Sequence, residues 1–195
     1  GDADDRNRVV GVDGRLGLGQ DWTVDFWGAQ SATPGLDGDE ASWSGRVAYQ
    51  TRDWNHSARV VKVGAAFSPE VGFMSRPAGY RFDELMLMRL VRRTNWTRVR
   101  QWNPHLSLRR YVADDGFLQT GMIHFDATEV EFSGGGRFGP EYYRYFEGLK
   151  TPFTIAPGVV IPAGEYQWGS LGLDWTTDPS APLSFLSRSE AGPFY

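Results

Sequence analysis

Apolar and polar residues alternate with period two along most of this 195-residue chain, and that rhythm restricts it to β-strands. In the run 9–18, Val10, Val12, Leu16 and Leu18 fall on one parity, and Asp13 and Arg15 on the other. The next run sets Trp22, Val24 and Phe26 against Asp21, Thr23 and Asp25. Successive side chains of a strand point to opposite faces, so each run describes a strand with one apolar and one polar side. Function then depends on what each side meets. In a soluble sandwich the apolar face packs inward, whereas in an outer-membrane barrel it faces lipid.

Turn-rich breaks separate the runs, in keeping with 24 glycines and 11 prolines. About ten strands are predicted, near 9–18, 21–30, 41–52, 55–67, 81–93, 96–102, 105–112, 117–132, 141–147, 165–175 and 183–188. In the hairpin 41–67, Trp43, Val47 and Tyr49 share one face of the first arm, and Val61, Val63, Ala65 and Phe67 one face of the second. The loop 133–140 is expected to be flexible around Gly134-Gly135-Gly136, and 148–164, with three prolines, irregular. A helical period is conceivable over 82–91, but its strand neighbours favour strand. Several runs reach ten residues, the length a tilted membrane strand needs. Trp22, Trp43, Trp54, Trp96, Trp102, Tyr111, Trp168 and Trp175 lie near predicted strand ends, where interfacial girdles place aromatic residues.

Composition removes several classes of function. A net charge of −4 and a pI of about 5.4 give no basic footprint for nucleic acid. With no cysteine there is no disulfide, thiolate metal site or cysteine nucleophile. No run of ~18 apolar residues encodes a transmembrane helix, a test that barrels escape. Gly1–Arg8 has no apolar leader, and the chain is expected to be one β-barrel domain segment, 1–195, of a longer protein.

Three segments resemble a bacterial family of unknown function. They are Ser57–Arg76, with Phe-Ser-Pro-x-x-Gly-Phe-x-x-Arg from Phe67 to Arg76; Phe146–Tyr166, with Pro-Phe-x-Ile-x-Pro-Gly-Val-x-Ile-Pro-x-Gly-x-Tyr from Pro152; and Leu183–Tyr195. Proteins of that family carry an upstream family-9-like carbohydrate-binding module and a C-terminal outer-membrane-type barrel. The resemblance implies an interior slice of that barrel, outer-membrane lipid as partner and glycans handled through the upstream module. It brings no catalytic residues.

The chemistry-bearing residues are sparse. His124 and Asp126 share a strand face, but no third ligand stands at diagnostic spacing, so no metal site is expected. Glu129 and Glu131 are expected ~6–7 Å apart on one face, a separation glycoside hydrolysis can use. Asp37-Gly38-Asp39-Glu40 lacks the full spacing of a calcium loop. The Asp2–Asp5 run reads as a terminus. There is no nucleophile elbow, P-loop or dinucleotide fingerprint, and no cofactor is expected. Eighteen of the 20 basic residues are arginine, as a GC-rich genome or a narrow charged lumen would require. Arg89, Arg93, Arg98, Arg100, Arg109 and Arg110 crowd the middle of the chain. If the apolar face is outside, several of them point into a lumen beside Asp126, Glu129 and Glu131, as an ion-pair plug or a ligand lining. The expected fold is therefore an all-β, antiparallel up-and-down sheet forming part of an outer-membrane-type barrel, with no enzymatic role. In that barrel Val61, Val63, Phe67, Ile123 and Phe125 face lipid. A soluble glycan-binding β-sandwich reverses the faces, and a glycosidase is a third reading.

Overall fold

The computed structural model describes residues 6–70, 74 and 76–194. The Asp2–Asp5 run and part of the Phe67–Arg76 motif lie outside these residues.

Among the described residues fourteen strands form and no helix does. They are β1 (Arg8–Leu18), β2 (Trp22–Ala32), β3 (Ala41–Gln50), β4 (Trp54–Val63), β5 (Tyr80–Arg89), β6 (Val99–Trp102), β7 (His105–Ala113), β8 (Leu118–Asp126), β9 (Val130–Phe132), β10 (Arg137–Leu149), β11 (Phe153–Ala156), β12 (Val159–Ile161), β13 (Gly164–Thr176) and β14 (Leu186–Ala191). Twelve of them make one antiparallel sheet. Its main path, β1-β2-β3-β4-β5-β7-β8-β10-β13-β14, is a ten-strand meander, with β6 and β9 paired beside β10. The sheet is open, and β1 and β14 are its two ends. β11 and β12 form a separate hairpin inside the stretch expected to be irregular.

Pairing register decides the two faces, because directly opposed residues project to the same side. Val10, Val12, Leu16 and Leu18 of β1 continue through Trp22, Val24 and Phe26 into Trp43, Val47 and Tyr49. The same side carries Ala58, Val60, Leu85, Leu108, Ile123, Phe146 and Leu171. This apolar face is open: Val10 is 75% exposed, Leu171 69% and Phe125 48%. The opposite face is polar and more closed. Ser42, Ser44, Ser107, Asp126, Glu141, Ser170 and Asp174 are all buried there.

One assignment is reversed. Trp43 opposes Lys62, so Val61 and Val63 oppose Ser44 and Ser42 and are buried on the polar side. Of the residues expected on the apolar face, Ile123 and Phe125 are there, and Phe67 lies in the β4–β5 connection beyond Val63. The expected strand 117–132 also breaks. The Asp126 carboxylate accepts the backbone N–H groups of Thr128 (2.8 Å) and Glu129 (2.7 Å), turning the chain out of the ladder before β9. The glycine loop is shorter than expected, since Arg137–Pro140 already belong to β10 and Gly135 takes the turn with φ +92°.

The two rims differ. Trp22, Tyr49, Trp54, Phe125, Phe138 and Trp175 lie on the apolar face close to the rim where β2, β4 and β10 begin and β3, β8 and β13 end. Trp22 packs on Tyr49 with 4.6 Å between ring centres, and Arg89 lies 4.1 Å over Trp54. The other rim carries charges: Lys62 pairs with Asp114, and Lys150 with Asp115 at 2.5 Å. That lysine, with the Phe117 N–H, holds the Asp115 carboxyl in the β7–β8 turn below the usual carboxylate range.

Candidate functional site

One group of titratable residues on the polar face gathers at the aromatic rim, where β7, β8, β10, β13 and β14 lie side by side. His105 opposes Asp126, and Ser107 opposes His124, across β7 and β8. His124 in turn opposes Tyr143 across β8 and β10, and Gly139 opposes Asp174 across β10 and β13. All of these but Ser107 line a cavity of about 200 Å³ with Glu129, Glu141, Arg137 and Arg188.

Its rings pack in sequence. His105 meets His124 edge-on at 4.8 Å, His124 stacks on Tyr143 at 4.6 Å, and Tyr143 on Tyr145 at 5.7 Å. The Tyr143 hydroxyl donates to Glu141. His124 Nε2 lies 2.9 Å from Glu141 Oε2, yet the two are out of line, and this buried nitrogen makes no hydrogen bond. Asp174 is fully compensated, since the Nη2 groups of Arg137 and Arg188 both donate to its Oδ2 at 2.9 Å.

A buried amide network supports the floor. Asn103 Nδ2 donates to Glu129 Oε1 (2.9 Å) and Glu131 Oε1 (3.0 Å), while its own Oδ1 accepts from Gln101. The Asn103 carbonyl lies 3.0 Å from His105 Nδ1. A carbonyl only accepts, so this contact places the His105 proton on Nδ1 and leaves the lone pair on Nε2.

The arginines expected in the lumen are spread over several places. Arg109 is on the polar face, with Nε 2.8 Å from Glu84 Oε1. Arg110 is on the apolar face and joins Asp83 at 2.8 Å, as Arg81 does. Arg89 covers Trp54, while Arg93 and Arg98 lie in the β5–β6 connection. Only Arg100, 3.7 Å from Glu131, stands beside the acidic residues. Asn103 does bring Glu129 and Glu131 together, and Asp126 joins them through the Glu129 N–H, with Glu129 ahead of β9 rather than in it. Sequence reasoning passed over His105, Asn103, Gln101, Glu141, Asp174, Arg137 and Arg188. In the Asp37–Glu40 loop, Asp39 Oδ1 accepts from the Ala41 N–H and its carbonyl from Ala66, the pattern of a turn.

A separate groove of about 640 Å³ crosses the apolar face, lined by Ala58, Val60, Leu85, Leu108, Ile123 and Phe146 among others. Comparison with known proteins adds no relative: no family model, curated protein or solved structure matches the chain.

Proposed function

We propose that this chain is part of an outer-membrane-type β-barrel, a membrane anchor or channel-like domain without enzymatic activity, in a bacterial envelope protein that handles carbohydrate through another module. The observation that carries this reading is the inverted partition of the large sheet. Exposed large apolar side chains such as Val10, Leu16 and Leu171 share one face, while the buried polar side chains Ser42, Ser44, Asp126, Glu141 and Asp174 lie on the other, beside Ala48, Val61 and Val63. Water on the apolar side would leave a hydrophobic surface far larger than the patches monomeric soluble proteins expose. Lipid removes that penalty, and the aromatic rim supplies the girdle such strands place at the interface.

Strand length agrees. The ten strands of the meander run mostly from 9 to 13 residues, enough to cross a hydrocarbon layer at a tilt. The open ends β1 and β14 would pair with further strands to close the barrel, since lipid tolerates no free edge. A sandwich needs a second sheet over the apolar face. Among the described residues the other sheet is only the β11–β12 hairpin. The family resemblance of the Ser57–Arg76 and Phe146–Tyr166 segments points the same way.

The test is gel mobility of the full-length protein taken from purified outer membranes. The folded form is expected to migrate differently from the boiled one and to require detergent for extraction. Recovery in the aqueous fraction with no mobility difference sinks the barrel and leaves glycan binding by a soluble sheet.

A further inference from the structure

Within the polar corner, one group holds two carboxylates that no arginine or lysine among the described residues pairs with. A ring nitrogen of His105 and carboxylate oxygens of Asp126 and Glu129 all lie within 4.8 Å of one another. Asp126 is only 2% exposed, and among the described residues no arginine or lysine comes within 4 Å of Asp126 or Glu129. The nearby arginines are committed elsewhere: Arg137 and Arg188 to Asp174, and Arg100 to Glu131. A buried carboxylate without a counter-charge is costly, and a cation is the ordinary remedy.

We propose that His105, Asp126 and Glu129 bind a divalent transition-metal ion of the zinc type, one that pins the β8–β9 turn to strand β7. Two further features fit an ion better than shared protons. Each ligand is held from behind: His105 by the Asn103 carbonyl at 3.0 Å, Asp126 by the Thr128 and Glu129 N–H groups on Oδ1, and Glu129 by Asn103 Nδ2 on Oε1. Such outer contacts fix tautomer and orientation in metal sites, and here they leave Nε2, Oδ2 and Oε2 for the ion. Donors about 2.0–2.2 Å from a tetrahedral ion stand about 3.3–3.6 Å apart, so the three side chains, now within 4.8 Å of one another, would close in on binding. Finally, the buried His124 Nε2, which lacks a hydrogen bond, lines the same cavity. One imidazole with two carboxylates selects a borderline ion over calcium or magnesium, which prefer oxygen alone. The inference stands whether or not the apolar face meets lipid.

The experiment uses the intact protein, treated with EDTA, desalted and kept folded in detergent. It is titrated with Zn²⁺ by calorimetry and with Co²⁺ by visible absorption. One ion per chain is expected, with a cobalt spectrum of mixed nitrogen and oxygen ligation. His105→Gln and Glu129→Gln are each expected to weaken binding by more than about tenfold. Glu129→Gln is nearly isosteric at a part-exposed position and so keeps the fold testable, while His56→Gln, on the apolar face, is expected to bind as the parent does. No stoichiometric binding overturns the proposal, as does binding that both site variants leave intact. Calcium binding as tightly as zinc, insensitive to His105→Gln, also overturns it.

Discussion

Leu171→Arg is expected to destabilise the folded protein in a bilayer by about 2–4 kcal/mol, the cost of a cationic side chain near the midplane of a barrel's lipid face. Leu171 sits mid-strand in β13, opposite Tyr142 of β10 and Ala191 of β14, and is 69% exposed. The described residues leave it largely uncovered, so a loss of stability has to come from the medium outside. The matched control is Thr23→Arg. Thr23 is half-buried on the polar face between Gly17, which has no side chain, and Ala48. Its change is expected within about 0.5 kcal/mol, as for ordinary surface positions. Reversible urea unfolding in lipid vesicles measures both. If the apolar face met water, Leu171→Arg would also fall within that margin, and equal values for the two variants would remove the membrane reading.

The alternation made the fold class readable because it is local. Ten of the eleven expected strands coincide with observed ones to within four residues at each end, and Val10–Leu18 and Trp22–Phe26 lie on the face their parity assigns. Errors arose where register, a non-local property, decides the answer. Val61 and Val63 look like a lipid-facing pair until Trp43 is set opposite Lys62, which turns both valines to the serine side. The break after Asp126 did leave a trace, because the apolar parity switches from Phe125 and Ala127 to Val130 and Phe132. A parity switch marks a bulge or a turn.

The candidate site was half visible for the same reason. His124 and Asp126 share a strand, so their common face could be read directly. His105 lies far from both in sequence. The Asp114-Asp115-Gly116 turn, with Gly116 at φ +86°, folds β8 back on β7 and brings His105 opposite Asp126. Using that turn as a register mark would have supplied the missing third ligand. The arginines misled because density along the chain carries no face: Arg109 and Arg110 are neighbours in sequence and project to opposite sides of the sheet.

Two glycine substitutions should separate packing from chain entropy, and their signs are expected to be opposite. A Cβ on Gly148 would stand 2.2 Å from the Leu118 carbonyl oxygen and 2.6 Å from the Phe117 ring. The ring could turn aside, but the carbonyl is backbone at the start of β8 and can yield only if β8 and β10 part at this end. Gly148→Ala is therefore expected to destabilise by at least the roughly 1–3 kcal/mol of an overpacked core site. Lys150, 5.2 Å over the Phe117 ring and bound to Asp115, would lose its seat in the same movement. At Gly45, in the interior of β3 on the same apolar face, an added Cβ meets nothing within 4 Å. There the substitution mainly narrows the unfolded ensemble, and a gain of about 0.4–1 kcal/mol is expected. Denaturant midpoints of the two variants against the parent decide the matter. A neutral Gly148→Ala would mean that β8 and β10 do not approach as closely at that rim as the register from Thr120–Glu147 requires. A destabilising Gly45→Ala would mean that something outside the described residues, such as tightly packed lipid or a neighbouring strand, already fills the space above β3.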